Sequence, residues 1–374
     1  MNTWAYPREA AQNRLTEEEL RRVWQHAAQF DPSIASSSRL LARLAGKQVI
    51  PESYSRSRLF ENMTYCRPSL FWNFPVQRYR RGSGPDGVDR LIDNICRGFP
   101  RIKRARVRRR TLIEYLSLPN VMKRWANART VFGITDLHYI GTRFDRWVDT
   151  KRLNDFNLLP RGTDGFQSQD SLVISSLGAV TDSHSDDHSG SNHCFTGAKL
   201  WLLWDTQEGL DYGLEDVERC YVKDRGRAAF DLPAFAAMKS SRWIFIGPGQ
   251  TMFIPAHLTH KVVTLERYLG LGSFHAGLPG FVDLLVRWHE LPPLWARFPS
   301  GDAHRSVAYI TERAIRKLRS LQDATRAEQV RWGIPQLLER LKLPDLQDRS
   351  GRGSGLMESN PHLARFVRAA AAFA

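Results

Sequence analysis

Hydrophobic positions along the chain follow three successive patterns. Near the N-terminus, Leu20, Val23, Trp24 and Ala27 recur at the spacing of one helical face. The preceding Leu15-Thr16-Glu17-Glu18-Glu19 reads as a capping box, with Thr16 as the cap and Glu19 reaching back to it. That helix runs to Asp31-Pro32. A break follows at Gly82-Ser83-Gly84-Pro85-Asp86-Gly87, after which Val88, Leu91, Ile92 and Ile95 predict a second, short amphipathic helix. Thr111-Leu112-Ile113-Glu114-Tyr115-Leu116 reads as the start of another.

The middle of the chain changes character. Ser171-Leu172-Val173-Ile174-Ser175-Ser176-Leu177, Leu200-Trp201-Leu202-Leu203-Trp204, Thr251-Met252-Phe253-Ile254-Pro255, Lys261-Val262-Val263-Thr264-Leu265 and Tyr268-Leu269-Gly270-Leu271 are short strand-like runs. Gly, Pro, Asp and Asn separate them, which predicts a sandwich or barrel rather than alternating βαβ units. From Pro279 helical spacing returns in Phe281, Leu284, Leu285 and Trp288, then in Val307, Ile310, Ala314 and Leu318, then in Ile334, Leu337, Leu338 and Leu341. These stripes fit either packing among helices or the face of a homodimer. Residues 348–355 have linker composition, and the tail is Ala-rich. The pattern divides the chain into a helical and irregular region at 1–110, a β-rich domain at 111–290 and a helical region at 291–374. A mainly β core with α additions is the expected fold class.

Composition narrows the function classes. The chain has 374 residues, 42% hydrophobic and 25% charged, enough for a sizeable core. No apolar run approaches the roughly 18–20 residues of a membrane helix, and the first residues carry no signal pattern. The four cysteines, Cys66, Cys96, Cys194 and Cys220, are scattered without a CxxC pair. A disulfide scaffold or zinc finger is not expected, and an intracellular setting, nucleus or cytoplasm, is. Lys and Arg number 54 against 39 Asp and Glu, a net charge of +15, which favours polyanionic or acidic partners. The densest basic run is Arg101, Lys103, Arg104, Arg106, Arg108, Arg109 and Arg110. It reads either as a strip for nucleic acid or chromatin or as a solvated face. No aromatic residue interleaves with it, so a base-stacking platform is not expected.

The candidate chemistry starts at Thr181-Asp182-Ser183-His184-Ser185-Asp186-Asp187-His188. His184 and Asp186 are two apart, and on a strand such residues share a face, so both can reach one ion. His260 follows Asp186 by 74 residues (260 − 186), behind Gly249-Gln250-Thr251-Met252-Phe253-Ile254-Pro255. Two imidazoles and one carboxylate on one side of a metal leave positions open for co-substrate and O2. His188 also stands two from Asp186 and is read as lining the pocket mouth. His257, His193 and His275 are read as structural.

The stretch from about Ser171 to His275 resembles a Jumonji-C (JmjC) domain of the Fe(II)/2-oxoglutarate oxygenases, nearest the histone lysine demethylase branch with F-box and PHD-associated members. The matching residues are Leu172-Val173-Ile174-Ser175 leading to Thr181-Asp182-Ser183-His184-Ser185-Asp186, Gly197-Ala198-Lys199-Leu200-Trp201-Leu202-Leu203, the run Gly249 to Pro255, His260-Lys261-Val262 and Gly270-Leu271-Gly272-Ser273-Phe274-His275. The resemblance implies a double-stranded β-helix (a cupin-like jelly-roll barrel) flanked by N-terminal and C-terminal helices. It further implies His184, Asp186 and His260 as iron ligands, and Thr181 and Lys199 as anchors for the distal carboxylate of 2-oxoglutarate. Asn192, seven residues before the lysine, would add a hydrogen bond. The activity implied is hydroxylation or N-demethylation of a protein or peptide side chain, with release of succinate and CO2. The polar, His-rich loop between Asp186 and Lys199 is shorter than in that branch, and Ser273 stands in place of a common Asn. Two other readings compete: a hydroxylase of a small molecule, and a non-catalytic metal-binding barrel that binds nucleic acid through its basic surface.

Overall fold

The computed structural model describes residues 14–74, 95–97, 105–109, 112–127, 130–146, 148, 155–163, 167–186, 188–214, 230–256, 258–290, 302–343 and 359–374. Helix α1 (Glu17–Ala28) begins as its sequence predicts. The Thr16 hydroxyl accepts from the Glu19 N–H at 3.3 Å, and the Glu19 carboxylate accepts from the Thr16 N–H at 2.7 Å. The helix buries Leu20, Val23, Trp24 and Ala27.

The strands are β1 (Glu52–Ser53), β2 (Ser69–Trp72), β3 (Ala105–Arg109), β4 (Leu112–Leu116), β5 (Gly133–His138), β6 (Ser171–Ser175), β7 (Val180–His184), β8 (Ser189–Thr196), β9 (Lys199–Asp205), β10 (Arg242–Ile246), β11 (Gln250–Ile254), β12 (Leu258–Thr264) and β13 (Tyr268–His275). They form a nine-stranded sheet in the order β1-β2-β11-β8-β13-β6-β5-β3-β4 and a four-stranded sheet in the order β10-β9-β12-β7. Only the β1–β2 pairing is parallel among the described strands. One apolar cluster draws on both sheets, joining Val173, Cys194, Met252 and Tyr268 of the large sheet to Trp201, Leu203, Ile244 and Val262 of the small one. The core is therefore β-rich, and helices cover it on its outer sides.

Side-chain alternation dictates those outer layers. Leu200, Leu202 and Trp204 of β9 point away from the shared cluster and pack with α1, α2 (Ser38–Ala45) and a later helix at Leu232–Ala237. Leu172, Ile174, Phe253, Leu269 and Leu271 cover the other side, against α3 (Arg56–Thr64) and α4 (Leu118–Ala126). The turn from β8 to β9 needs Gly197. Its φ is 85°, and a Cβ there would lie 2.2 Å from the Arg267 carbonyl oxygen.

Further helices among the described residues are, in chain order, α5 (Thr206–Asp211), α6 (Leu232–Ala237), α7 (Phe281–Glu290), α8 (Asp302–Gln322), α9 (Arg326–Arg331), α10 (Ile334–Lys342) and α11 (Pro361–Ala370). The three C-terminal stripes pack together: Phe281, Leu284, Leu285, Ile310, Ala314, Leu318, Ile334 and Leu337 share one buried cluster with Leu363 and Phe366. Packing within the chain therefore uses these faces.

Two expectations are corrected. Leu112–Leu116 is strand β4, not the start of a helix; it pairs along its whole length with β3, and α4 begins only at Leu118. Pro119 in the first turn fixes that start, because proline is tolerated there and not deeper in a helix. The region 1–110 is not only helical and irregular, since β1, β2 and β3 extend the large sheet. The break at 82–87, Val88, Leu91, Ile92, the linker at 348–355, Arg101, Lys103, Arg104 and Arg110 lie outside the described residues. Among the described residues no helix is long and apolar enough to cross a membrane, and Cys66, Cys96 and Cys194 form no disulfide.

One buried ion pair ties the N-terminal layer to the small sheet. Lys261 Nζ lies 2.8 Å from Asp31 Oδ2 and 3.8 Å from Asp182 Oδ1, and the Lys261 and Asp31 side chains are 7% and 12% exposed. Removing the ammonium strands a buried carboxylate. Lys261→Met is therefore expected to lower unfolding stability by about 3 kcal/mol in urea denaturation. A loss below about 0.5 kcal/mol would contradict that role for the pair.

Candidate metal centre

The register of β7 against β12 sets up the site. His184 pairs with His260, and Thr181 pairs with Val262, so three steps on β7 oppose two on β12. This bulge turns Thr181 and His184 to the same face despite their odd separation. On β12, Leu258 and Val262 belong to the shared interior cluster, and His260 alternates in phase with them. Asp186 does not lie on the strand, as the two-residue spacing predicts. β7 ends at His184, and Asp186 sits in the connection to β8. The turn of the chain, rather than strand alternation, brings its carboxylate back.

His184, Asp186 and His260 meet. One candidate ligand atom from each lies within 4.8 Å of the others. His260 Nε2 is 3.9 Å from Asp186 Oδ2, and the two imidazole centroids are 4.1 Å apart with their planes at 56°. Each ring has its Nδ1 against the backbone carbonyl two residues earlier: His184 on Asp182 at 2.8 Å, and His260 on Leu258 at 3.2 Å. A proton on each Nδ1 satisfies that carbonyl and leaves both Nε2 lone pairs as ligands, the usual outer-sphere arrangement of a metal-binding histidine. Burial, reinforced by neighbouring His184 and opposed by Asp186, lowers the His260 pKa to about 4, so this ring is neutral at pH 7. Trp201 walls the site, its ring 5.3 Å from that of His260. The group can hold a divalent metal ion.

The interior face of β9 carries Lys199, Trp201 and Leu203 in alternation. Leu203 pairs with His260 and Lys199 pairs with Thr264. Lys199 therefore stands four residues deeper than the histidine, about 13 Å at ~3.3 Å per residue. It is 4% exposed. Its Nζ lies 4.4 Å over the ring of Tyr268, and among the described residues no carboxylate pairs with it. Burial lowers its pKa to about 7. Asn192 of β8 is buried, and its Oδ1 accepts from the Tyr268 hydroxyl. Thr181, Asn192 and Lys199 thus all belong to strands around one interior. An unpaired buried ammonium is costly, and an organic acid would relieve it.

The other histidines go elsewhere. His188 packs against the rings of Phe274 and Trp288 at 6.1 and 5.7 Å, outside the ligand group. His193 Nδ1 meets Thr251 Oγ1, and His275 Nε2 meets Ser191 Oγ, both at 2.7 Å. His257 lies outside the described residues. The His-rich loop between Asp186 and Lys199 is mostly strand β8, held between β11 and β13.

Burial pushes His275 down to about 3 and His260 to about 4, while an unfolded chain protonates both near 6.5. As pH falls below that value the unfolded state takes up protons that the folded state refuses. Stability of the metal-free protein is expected to drop from pH 6.5 to about pH 4, by up to about 1.4 kcal/mol per pH unit for each histidine. Urea denaturation at pH 7, 6 and 5 measures this; a flat profile would contradict it.

No protein-family model matches the sequence, and no curated protein matches it. What the chain does is to be read from its side chains.

Proposed function

We propose that the chain is an Fe(II)- and 2-oxoglutarate-dependent oxygenase of the JmjC kind, which hydroxylates or N-demethylates a side chain of a protein or peptide. The observation that carries this is one interior face with two functions. At one end are two imidazoles and a carboxylate; four residues further along the same face stands Lys199, buried and without a carboxylate partner among the described residues. The strand order β6-β13-β8-β11 facing β7-β12-β9-β10 supports reading the core as a double-stranded β-helix, because from β6 to β13 each strand crosses to the other sheet except at the β9–β10 hairpin, as in a jelly roll.

When bound, the metal and 2-oxoglutarate supply the oxidative chemistry, with O2 consumed and succinate and CO2 released. The chain's own residues do the rest. His184, Asp186 and His260 hold the metal on one side. Lys199, Asn192 and Thr181 receive the acid's distal carboxylate. Trp201 and Val262 keep the space between apolar and exclude water. The direct test is to incubate the purified protein with Fe(II), 2-oxoglutarate, ascorbate and O2. Succinate that disappears on chelation supports the proposal; none from metal-loaded protein would overturn it. Mass spectrometry of candidate peptides then separates gain of an oxygen from loss of a methyl group.

A second reading, nucleic-acid binding, has its own observation. On the β3–β4 ladder Arg106 stands opposite Tyr115 and Arg108 opposite Ile113, and Tyr115 and Ile113 are exposed. That register, with an aromatic position across the ladder from Arg106, supports the reading. Salt-dependent oligonucleotide binding that is unchanged in His184→Ala would favour this reading.

A further inference from the structure

We infer that Tyr268 is a positioning residue for the acid-binding end of the interior: its ring seats the Lys199 ammonium, and its hydroxyl orients the Asn192 amide so that donors face the acid. The inference rests on the oxygenase reading and adds a residue whose role its sequence does not reveal.

Three contacts define that role. Lys199 Nζ lies 4.4 Å over the Tyr268 ring, close enough for a cation–π interaction. The Tyr268 hydroxyl donates to Asn192 Oδ1. Gly270, two residues along β13, leaves room for the ring, because a Cβ there would stand 2.6 Å from Tyr268 Cε1 and 2.8 Å from its hydroxyl oxygen. Tyr268 is fully buried, with Asn192 and Lys199 nearly so, so none of these groups is oriented by bulk water.

The amide is the informative part. A carboxamide has one acceptor oxygen and one donor NH2. With Oδ1 occupied by the tyrosine, the amide is held in the orientation that presents Nδ2–H as its remaining function. Lys199 offers only donors, and the Thr181 hydroxyl can offer one. A site of donors selects an anion and rejects a neutral amide or alcohol of the same shape. Tyr268 thereby sets both the position of the cation and the sign of the site.

The test measures 2-oxoglutarate affinity by calorimetry in the Mn(II)-loaded full-length protein, with Mn(II) affinity measured separately. Tyr268→Phe keeps the ring and loses the hydroxyl. It is expected to weaken 2-oxoglutarate binding about 5- to 10-fold and to leave Mn(II) affinity unchanged. Because the hydroxyl acts through the amide, adding Tyr268→Phe to Asn192→Ala should weaken binding less than about 2-fold further. Asn192→Asp, with its fold checked by circular dichroism, replaces the amide donor with a carboxylate that repels the acid and should abolish binding. Unchanged affinity in Tyr268→Phe, additive losses in the double variant, or binding retained by Asn192→Asp would each overturn the inference while the oxygenase reading stands. Absence of 2-oxoglutarate binding by the unaltered Mn(II)-protein would overturn both.

Discussion

Asp186→Ala is expected to abolish metal-dependent succinate formation and to weaken divalent-cation binding at least about 100-fold, because a lost ligand should cost no less than a lost outer-sphere partner does. The fold should survive. Asp186 lies beyond the end of β7 and its side chain is 37% exposed, so truncation opens no cavity in the core. Unfolding stability of the metal-free variant should stay within about 0.5 kcal/mol of the parent. Metal titration, succinate assay and urea denaturation together measure this. Near-normal turnover would remove Asp186 from the ligand set, whereas a large stability loss would make it a structural residue.

Lys199→Met should move two properties in opposite directions. Loss of the ammonium removes the charge that receives the acid, and 2-oxoglutarate affinity is expected to fall about 100-fold or more. The metal-free protein should become more stable by about 1–2 kcal/mol, because a flexible apolar chain replaces a buried cation that no carboxylate among the described residues neutralises. A residue kept for stability would behave the other way. Calorimetry and denaturation of the same preparation separate the cases. Unchanged affinity would end the anchoring role, and a clear loss of stability would show that the lysine holds the core together.

The sequence was legible where local and tertiary preferences agree. The Thr16–Glu19 capping box, the apolar cores of β6, β9, β11, β12 and β13, and the C-terminal helical stripes all stand where their patterns place them. It was illegible where a partner decides the conformation. Strand β8, Ser189–Thr196, is too polar to read as an interior strand, yet its polar groups find partners across the sheet: Ser191 with His275, His193 with Thr251, Asn192 with Tyr268. Strand β4 is fixed by β3 and not by its own pattern.

The candidate ligands could be singled out from order and residue type, but their geometry could not. The bulge that turns both Thr181 and His184 inward is a property of the β7–β12 register, and Asp186 reaches the site from outside any strand. Tyr268 gave no signal beyond an aromatic two residues before Gly270, since its role depends on what lies across the interior.

The most direct measurement is an anomalous-scattering map of crystals of the full chain soaked in Mn(II). The expected result is a single strong peak bonded to Nε2 of His184, Nε2 of His260 and a carboxylate oxygen of Asp186. A peak at other side chains, or none while those three remain within reach of one another, would contradict the metal centre.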